Sequence, residues 1–155
     1  MSKQELKQKG FTIIEVVLVL AIAALIFLMV FIALPALQRS QRDTARKNDA
    51  SIVATGVTSW QGNNRSSSTF PTADQIKQYA ESLSGNTSEL VIGTAPDSNG
   101  KTYTATDGQA TVVPQAKCNA QGSDGSVTLD KGTLRQFVVI TRLEGGNNSG
   151  YCFQS

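Results

Sequence analysis

The sequence predicts an α+β fold in which a long N-terminal α-helix, hydrophobic in its first half, packs on a small antiparallel β-sheet domain. Three observations lead there. From Ile13 to Leu34 the only ionisable residue is Glu15, and sixteen positions in that stretch are Leu, Ile, Val or Phe. The following segment, Ala36 to Asp49, is polar but holds no Gly or Pro, so nothing in it stops a helix. Late in the chain, short apolar runs alternate with turn signals at Asp97-Ser98-Asn99-Gly100, Asp107-Gly108 and Asp124-Gly125.

The apolar stretch is long enough to cross a membrane. As a helix, Phe11 to Leu34 would reach about 36 Å at ~1.5 Å per residue, against a hydrocarbon core of about 30 Å. The apolar side chains supply roughly −5 to −10 kcal/mol towards insertion. One carboxylate at the helix centre costs roughly 3 kcal/mol, and Glu15 lies near one end, so insertion wins. A cleaved secretory signal fits the basic start but not the length, since its apolar region usually spans about 7–15 residues. Ala21-Ile22-Ala23 has the small-x-small form of such a site but lies inside the apolar block. Lys3, Lys7 and Lys9 on one side nearly balance Arg39, Arg42, Arg46 and Lys47 on the other, so flanking charge leaves orientation open.

Past the apolar block, Pro35 removes a hydrogen bond to the carbonyl of Phe31 and is expected to kink the helix there. Leu37, Ala45, Ile52, Val53, Val57 and Trp60 mark a loose helical stripe, so one helix is expected from about Phe11 to about Trp60, stopped by Gly62-Asn63-Asn64. The alternating charges between Arg39 and Asp49 read as a solvated face with ion pairs between subunits. Arg65 to Thr69 is a polar loop. Thr72-Ala73-Asp74-Gln75 is a capping box, and Ile76, Tyr79, Ala80 and Leu83 continue a helix from Ala73 to Leu83. Strands are expected at Leu90 to Ile92, Lys101 to Thr106, Gln109 to Val113, Ser126 to Leu129 and Gln136 to Arg142, with a hairpin at Thr106-Asp107-Gly108-Gln109.

Composition narrows the function. The net charge of +2 comes wholly from Lys3, Lys7 and Lys9 against Glu5, because the 11 basic and 11 acidic residues from Phe11 onward cancel. That balance gives little support for a nucleic-acid surface, with the basic residues between Arg39 and Lys47 as the alternative patch. The absence of His removes the commonest general base and zinc ligand. Two cysteines cannot hold zinc alone. Asp97-Ser98-Asn99-Gly100 has only the start of a calcium loop, and turn chemistry explains it without metal. No cofactor, metal site or catalytic residue is expected. The Asn-x-Ser/Thr triplets at Asn64, Asn86 and Asn147 are common by chance. Cys118 and Cys152, an even pair late in a chain that reads as exported, suit one disulfide, with two free thiols as the alternative. Closing that loop contributes about 3–4 kcal/mol in the chain-entropy model, which a small head domain needs.

Lys9-Gly10-Phe11-Thr12-Ile13-Ile14-Glu15, followed by an uncharged apolar helix, resembles the leader and cleavage site of type IV pilins and pseudopilins. The resemblance covers about the first 35 residues and rests on the order of basic leader, Gly, Phe, Glu and apolar block. It implies cleavage by a prepilin peptidase between Gly10 and Phe11, N-methylation of Phe11, and a leader left in the cytoplasm while the remainder is exported. It implies residues 1–10 as leader, 11–35 as transmembrane and filament-core helix, 36–62 as its amphipathic continuation and 63–155 as globular head. In the assembled helical homopolymer, Glu15 would pair with the Phe11 amine of a neighbouring subunit, and the Cys118–Cys152 loop would be the disulfide-bounded C-terminal loop of many pilins. The partners implied are other copies of the chain, the peptidase, the pilus assembly machinery and, for the precursor, the cytoplasmic membrane. The alternatives are a pseudopilin of a secretion or DNA-uptake apparatus and a minor adhesive pilin. Many relatives carry a Pro, sometimes with an earlier Gly, within the apolar helix. Here there is no Gly from Phe11 to Leu34, and Pro35 comes at the end.

Overall fold

Helix α1 spans Ile13–Asn63 in the computed structural model, which describes residues 10–80 and 82–155. The leader lysines Lys3, Lys7 and Lys9 lie outside the described residues. The chain divides into two compact units, Met1–Gln38 and Arg39–Ser155. In the first, the large apolar side chains from Phe11 to Leu34 are all at least 45% exposed, so this stretch buries no core of its own. A helix that is apolar all round and unburied needs an apolar surrounding. Pro35 falls within α1.

The second unit has three layers: helix, four-stranded sheet, three-stranded sheet. Its strands are β1 (Glu89–Ile92), β2 (Lys101–Thr104), β3 (Gln109–Pro114), β4 (Ala116–Gln121), β5 (Ser126–Lys131), β6 (Phe137–Arg142) and β7 (Gly150–Gln154). The larger sheet runs β1-β3-β6-β7 and the smaller β2-β5-β4. All pairings are antiparallel except β1 with β3, which is parallel. The period-two alternation of the central strands decides the layering. Ala110, Val112, Phe137 and Val139 join Ala50, Val53 and Val57 of α1 in one core. Their neighbours Val113, Val138 and Ile140 point the other way and meet Val127 and Leu129 of the smaller sheet in a second core. Strand β6 is buried on both faces, which is why Phe137-Val138-Val139-Ile140 reads as an unbroken apolar run.

Three local expectations are corrected. The hairpin at Thr106–Gln109 does not form: β2 pairs with β5 and β3 with β1 and β6, so Asp107-Gly108 carries the chain from one sheet to the other. Both edges of β3 are taken, one by β6 and the other by β1, so no edge is left for β2. A hairpin does form between β4 and β5 through Gly122 to Gly125, where Asp124 and Gly125 adopt φ of 54° and 74°. The second helix, α2, is Ala73–Tyr79 rather than reaching Leu83. Its capping box is formed as expected, with Thr72 N–H donating to Gln75 Oε1 at 2.9 Å. The chain then turns extended at Ala80, and Ser84 gives its N–H (2.8 Å) and hydroxyl (2.6 Å) to the buried carboxylate of Asp49. Leu83 still packs on the helix-side core.

The third correction concerns the charged part of α1. Its buried face is Arg46, Asp49, Ala50, Val53, Val57 and Trp60, while Leu37 is exposed. Arg42, Asp43, Arg46 and Asp49 therefore do not form a solvated face. They bind groups of their own unit. Gly56 on the same helix lets α2 approach: a Cβ there would lie 3.1 Å from Ile76 O and 3.2 Å from Ala80 Cβ.

Two short strands went unread. β4 contains no β-branched residue, and it is held by pairing with β5 and by the disulfide. β7 begins at Gly150, where a Cβ would come 2.5 Å from Ser126 O, so only glycine permits the close approach of this strand to β5. Cys118 of β4 and Cys152 of β7 are bonded, with Cα atoms 6.0 Å apart. The bond ties the smaller sheet to the larger, and no free cysteine remains among the described residues.

Candidate functional site: the N-terminal segment and the charged clamp of the head

Gly10, Phe11 and Thr12 precede α1 in non-helical backbone, and all three are exposed. A Cβ on Gly10 would meet nothing within 4 Å among the described residues. Phe11 is 86% exposed. Glu15 lies in the first turn of α1. Its carboxylate accepts from Thr12 N–H and from Thr12 Oγ1, each at 3.4 Å, while Glu15 N–H donates to Thr12 Oγ1 at 3.4 Å. Thr12 and Glu15 thus form a reciprocal capping box that serves amides left free at the helix start. The positive end of the helix dipole favours a carboxylate there as well. The Thr-x-x-Glu spacing signalled this box in the sequence, and the reading of Glu15 as an intermolecular partner passed over it.

The box affects what Glu15 can do. A carboxylate has about four lone-pair sites. Two are occupied by Thr12. Sequence reasoning named Gly10, Phe11 and Glu15 as one site, and the three lie within six residues of chain, all exposed. Pro35 lies about six turns along α1 at ~3.6 residues per turn and takes no part in this geometry.

The second cluster, which sequence reasoning missed, lies wholly in Arg39–Ser155. Arg42 makes a bidentate pair with Glu144, Nε to Oε1 at 2.7 Å and Nη2 to Oε2 at 2.6 Å. Arg46, 5% exposed, donates to Arg142 O at 2.8 Å and pairs with Asp107 at 2.8 Å and Glu144 at 3.3 Å. Asp43 accepts from Glu144 N–H (2.7 Å) and Gly145 N–H (2.8 Å). These bonds clamp a left-handed turn at Gly145–Asn148, in which Gly146, Asn147 and Asn148 have φ of 59°, 60° and 57°. Gly and Asn are the residues that tolerate this conformation. Lys47 Nζ adds a contact 5.5 Å above the Tyr151 ring. Nothing local in the sequence links positions a hundred residues apart, so no signal could have found this clamp.

The Arg42 hydrogen bonds, set against desolvation and with Arg46 and Arg39 nearby, hold the Glu144 carboxyl below the usual carboxylate range. A lowered folded-state pKa means the contribution is present above the unfolded value and is lost as pH falls through the folded one. Unfolding of the wild type and of Glu144→Gln is therefore expected to differ near neutral pH, with the variant less stable. The gap should close as pH drops below the ordinary carboxylate range. A gap unchanged into strong acid would show that the charge on Glu144 is not what the clamp uses.

A family model described as the prokaryotic N-terminal methylation motif matches residues 6–31. No curated protein and no solved structure matches the chain. The motif implies processing by a prepilin peptidase, supports a membrane-anchored precursor, and belongs to a structural, non-enzymatic family. The match at residues 6–31, on a long N-terminal helix followed by an antiparallel-rich β domain, supports a precursor of type IV pilin or pseudopilin type.

Proposed function

We propose that the chain is a structural subunit of an extracellular type IV pilus filament. It is inserted in the cytoplasmic membrane with its N-terminus in the cytoplasm, cut between Gly10 and Phe11, methylated on Phe11 and polymerised through α1. In this reading residues 1–10 are the leader, 11–35 the membrane and filament-core helix, 36–62 its continuation and 63–155 the head. The protein has no catalytic role. Its partners are further copies of itself, the peptidase and the assembly machinery.

The observation that carries the proposal is Glu15, a lone carboxylate on an exposed apolar helix, four residues after Phe11. An unpaired buried carboxylate is expensive. Polymerisation would bury this one among other helices, and the Phe11 ammonium of a neighbour is the cation that the proposed cleavage creates. A subunit carrying both groups can be added anywhere along a filament. The disulfide suits a head exposed outside the cell.

Surface filaments sheared from cells, separated and mapped by mass spectrometry, test the reading. This chain is expected as their most abundant protein. Its presence as a trace component would make it a minor pilin. Its confinement to the cell envelope would make it a pseudopilin.

A further inference from the structure

Asn99–Gly100 is the one Asn-Gly step in the chain. Such a step is chemically labile because the glycine nitrogen, with no Cβ beside it, can reach the asparagine side-chain carbon. Both residues are exposed, so water and hydroxide have access. Yet each reacting group is engaged. Gly100 N–H donates to Asp130 Oδ1 at 2.8 Å, and Asn99 Oδ1 accepts from Lys131 N–H at 3.0 Å. Asn119 Nδ2 donates to the same Asp130 oxygen at 2.9 Å, fixing that carboxylate from the other side.

We propose that Asn99 is a latent deamidation site whose rate is set by Asp130. The reaction needs the Gly100 nitrogen to lose its proton to hydroxide and attack Asn99 Cγ. The new N–Cγ bond closes a succinimide as the Cγ–Nδ2 bond breaks, and Nδ2 takes up a proton and leaves as ammonia. Water then opens the ring at either carbonyl, giving aspartate or isoaspartate. The two contacts act in opposite directions. The Lys131 N–H polarises the side-chain carbonyl and favours attack. The Asp130 carboxylate stabilises the N–H and, being negative, opposes an amide anion 2.8 Å away. The second effect governs, because no attack occurs until the proton is gone. Asn119 and Gly100 also hold the Asp130 carboxyl below the usual range, so it is ionised wherever hydroxide is plentiful.

The product would matter locally. It adds a carboxylate beside Asp130 and Asp97, and the isoaspartate form lengthens the backbone between β1 and β2. Asp97 is already paired with Lys101 at 3.1 Å.

The full chain in detergent is incubated at mildly alkaline pH and digested with trypsin. The peptide from residue 78 to 101 contains both Asn99 and Asn86, so Asn86 serves as an internal reference. Folded wild type is expected to convert Asn99 about tenfold to a hundredfold more slowly than the same chain in denaturant, the factor of one hydrogen bond to a charged acceptor. Asp130→Ala should raise the folded rate towards the denatured one, with Asp130→Asn between. Acceleration of Asn86 as well would mark a variant that has unfolded. Hydrogen exchange of the Gly100 amide in wild type then decides, and slow exchange is expected. Equal rates in folded and denatured wild type, a folded Asp130→Ala with no increase, or free exchange at Gly100 would each overturn the proposal.

Discussion

Glu15→Val is expected to leave the precursor in the membrane and cleaved, yet to give few or no filaments. The two environments of the carboxylate differ. In the proposed precursor it would lie at one end of the membrane helix, near the interface, and Thr12 caps it. Removing it makes insertion slightly more favourable, because the apolar residues already dominate by several kcal/mol. In a filament the same helix turn would be surrounded by others. In the proposed packing the carboxylate and a neighbour's Phe11 amine would satisfy each other, and stranding one of such a buried pair costs about 3–5 kcal/mol. At each added subunit that is a factor on the order of a hundred to several thousand in affinity. The pair also fixes axial register, which a uniformly apolar helix surface cannot do. Membrane fractionation beside filament counts by electron microscopy reads both outcomes. Loss of the capping box alone is worth about 1 kcal/mol, too little to abolish assembly. Thr12→Val, which keeps the carboxylate, should therefore retain filaments where Glu15→Val does not.

The second large effect belongs to the disulfide. Replacing both Cys118 and Cys152 with Ser is expected to lower stability by about 3–4 kcal/mol through the closed loop of 34 residues. For a domain of this size that is a fall in melting temperature of about 10–20 °C. The loop holds β5 and β6, one from each sheet, and its ends are β4 and β7, again one from each. The bond is thus the only covalent tie between the layers apart from the chain itself. Without it, β4 is the strand expected to loosen first, since it lies at a sheet edge and lacks β-branched residues. Circular dichroism melts of the full chain in detergent, with and without reductant, measure the difference. Coincident melts would mean that pairing with β5 and β6 suffices.

The parts of this molecule legible in its sequence are those governed by short-range pattern. The long helix, the capping box at Thr72, the strand at Gln109 and the pair of cysteines all follow from spacing within a few residues or from parity. What escaped depends on partners far along the chain. Asp107-Gly108 has the chemistry of a hairpin turn, but its flanking strands belong to different sheets, because β1 and β6 fill both edges of β3 while β2 pairs with β5. The charges on α1 looked solvated because their partners, Glu144 and Ser84, lie 102 and 35 positions away. At the N-terminus the situation reverses. Gly10, Phe11 and Glu15 were readable together because the site is one continuous stretch of chain, and only the local role of Thr12 went unnoticed.

Central to the account is that this chain becomes a filament subunit by losing its leader and exposing the Phe11 amine to Glu15. The intact mass and N-terminal sequence of the subunit in sheared filaments test that most directly. The account requires a chain beginning at Phe11, heavier by one methyl group, with Cys118 and Cys152 joined. A subunit that retains Lys9-Gly10, or one that begins within the apolar block beyond Glu15, would contradict it.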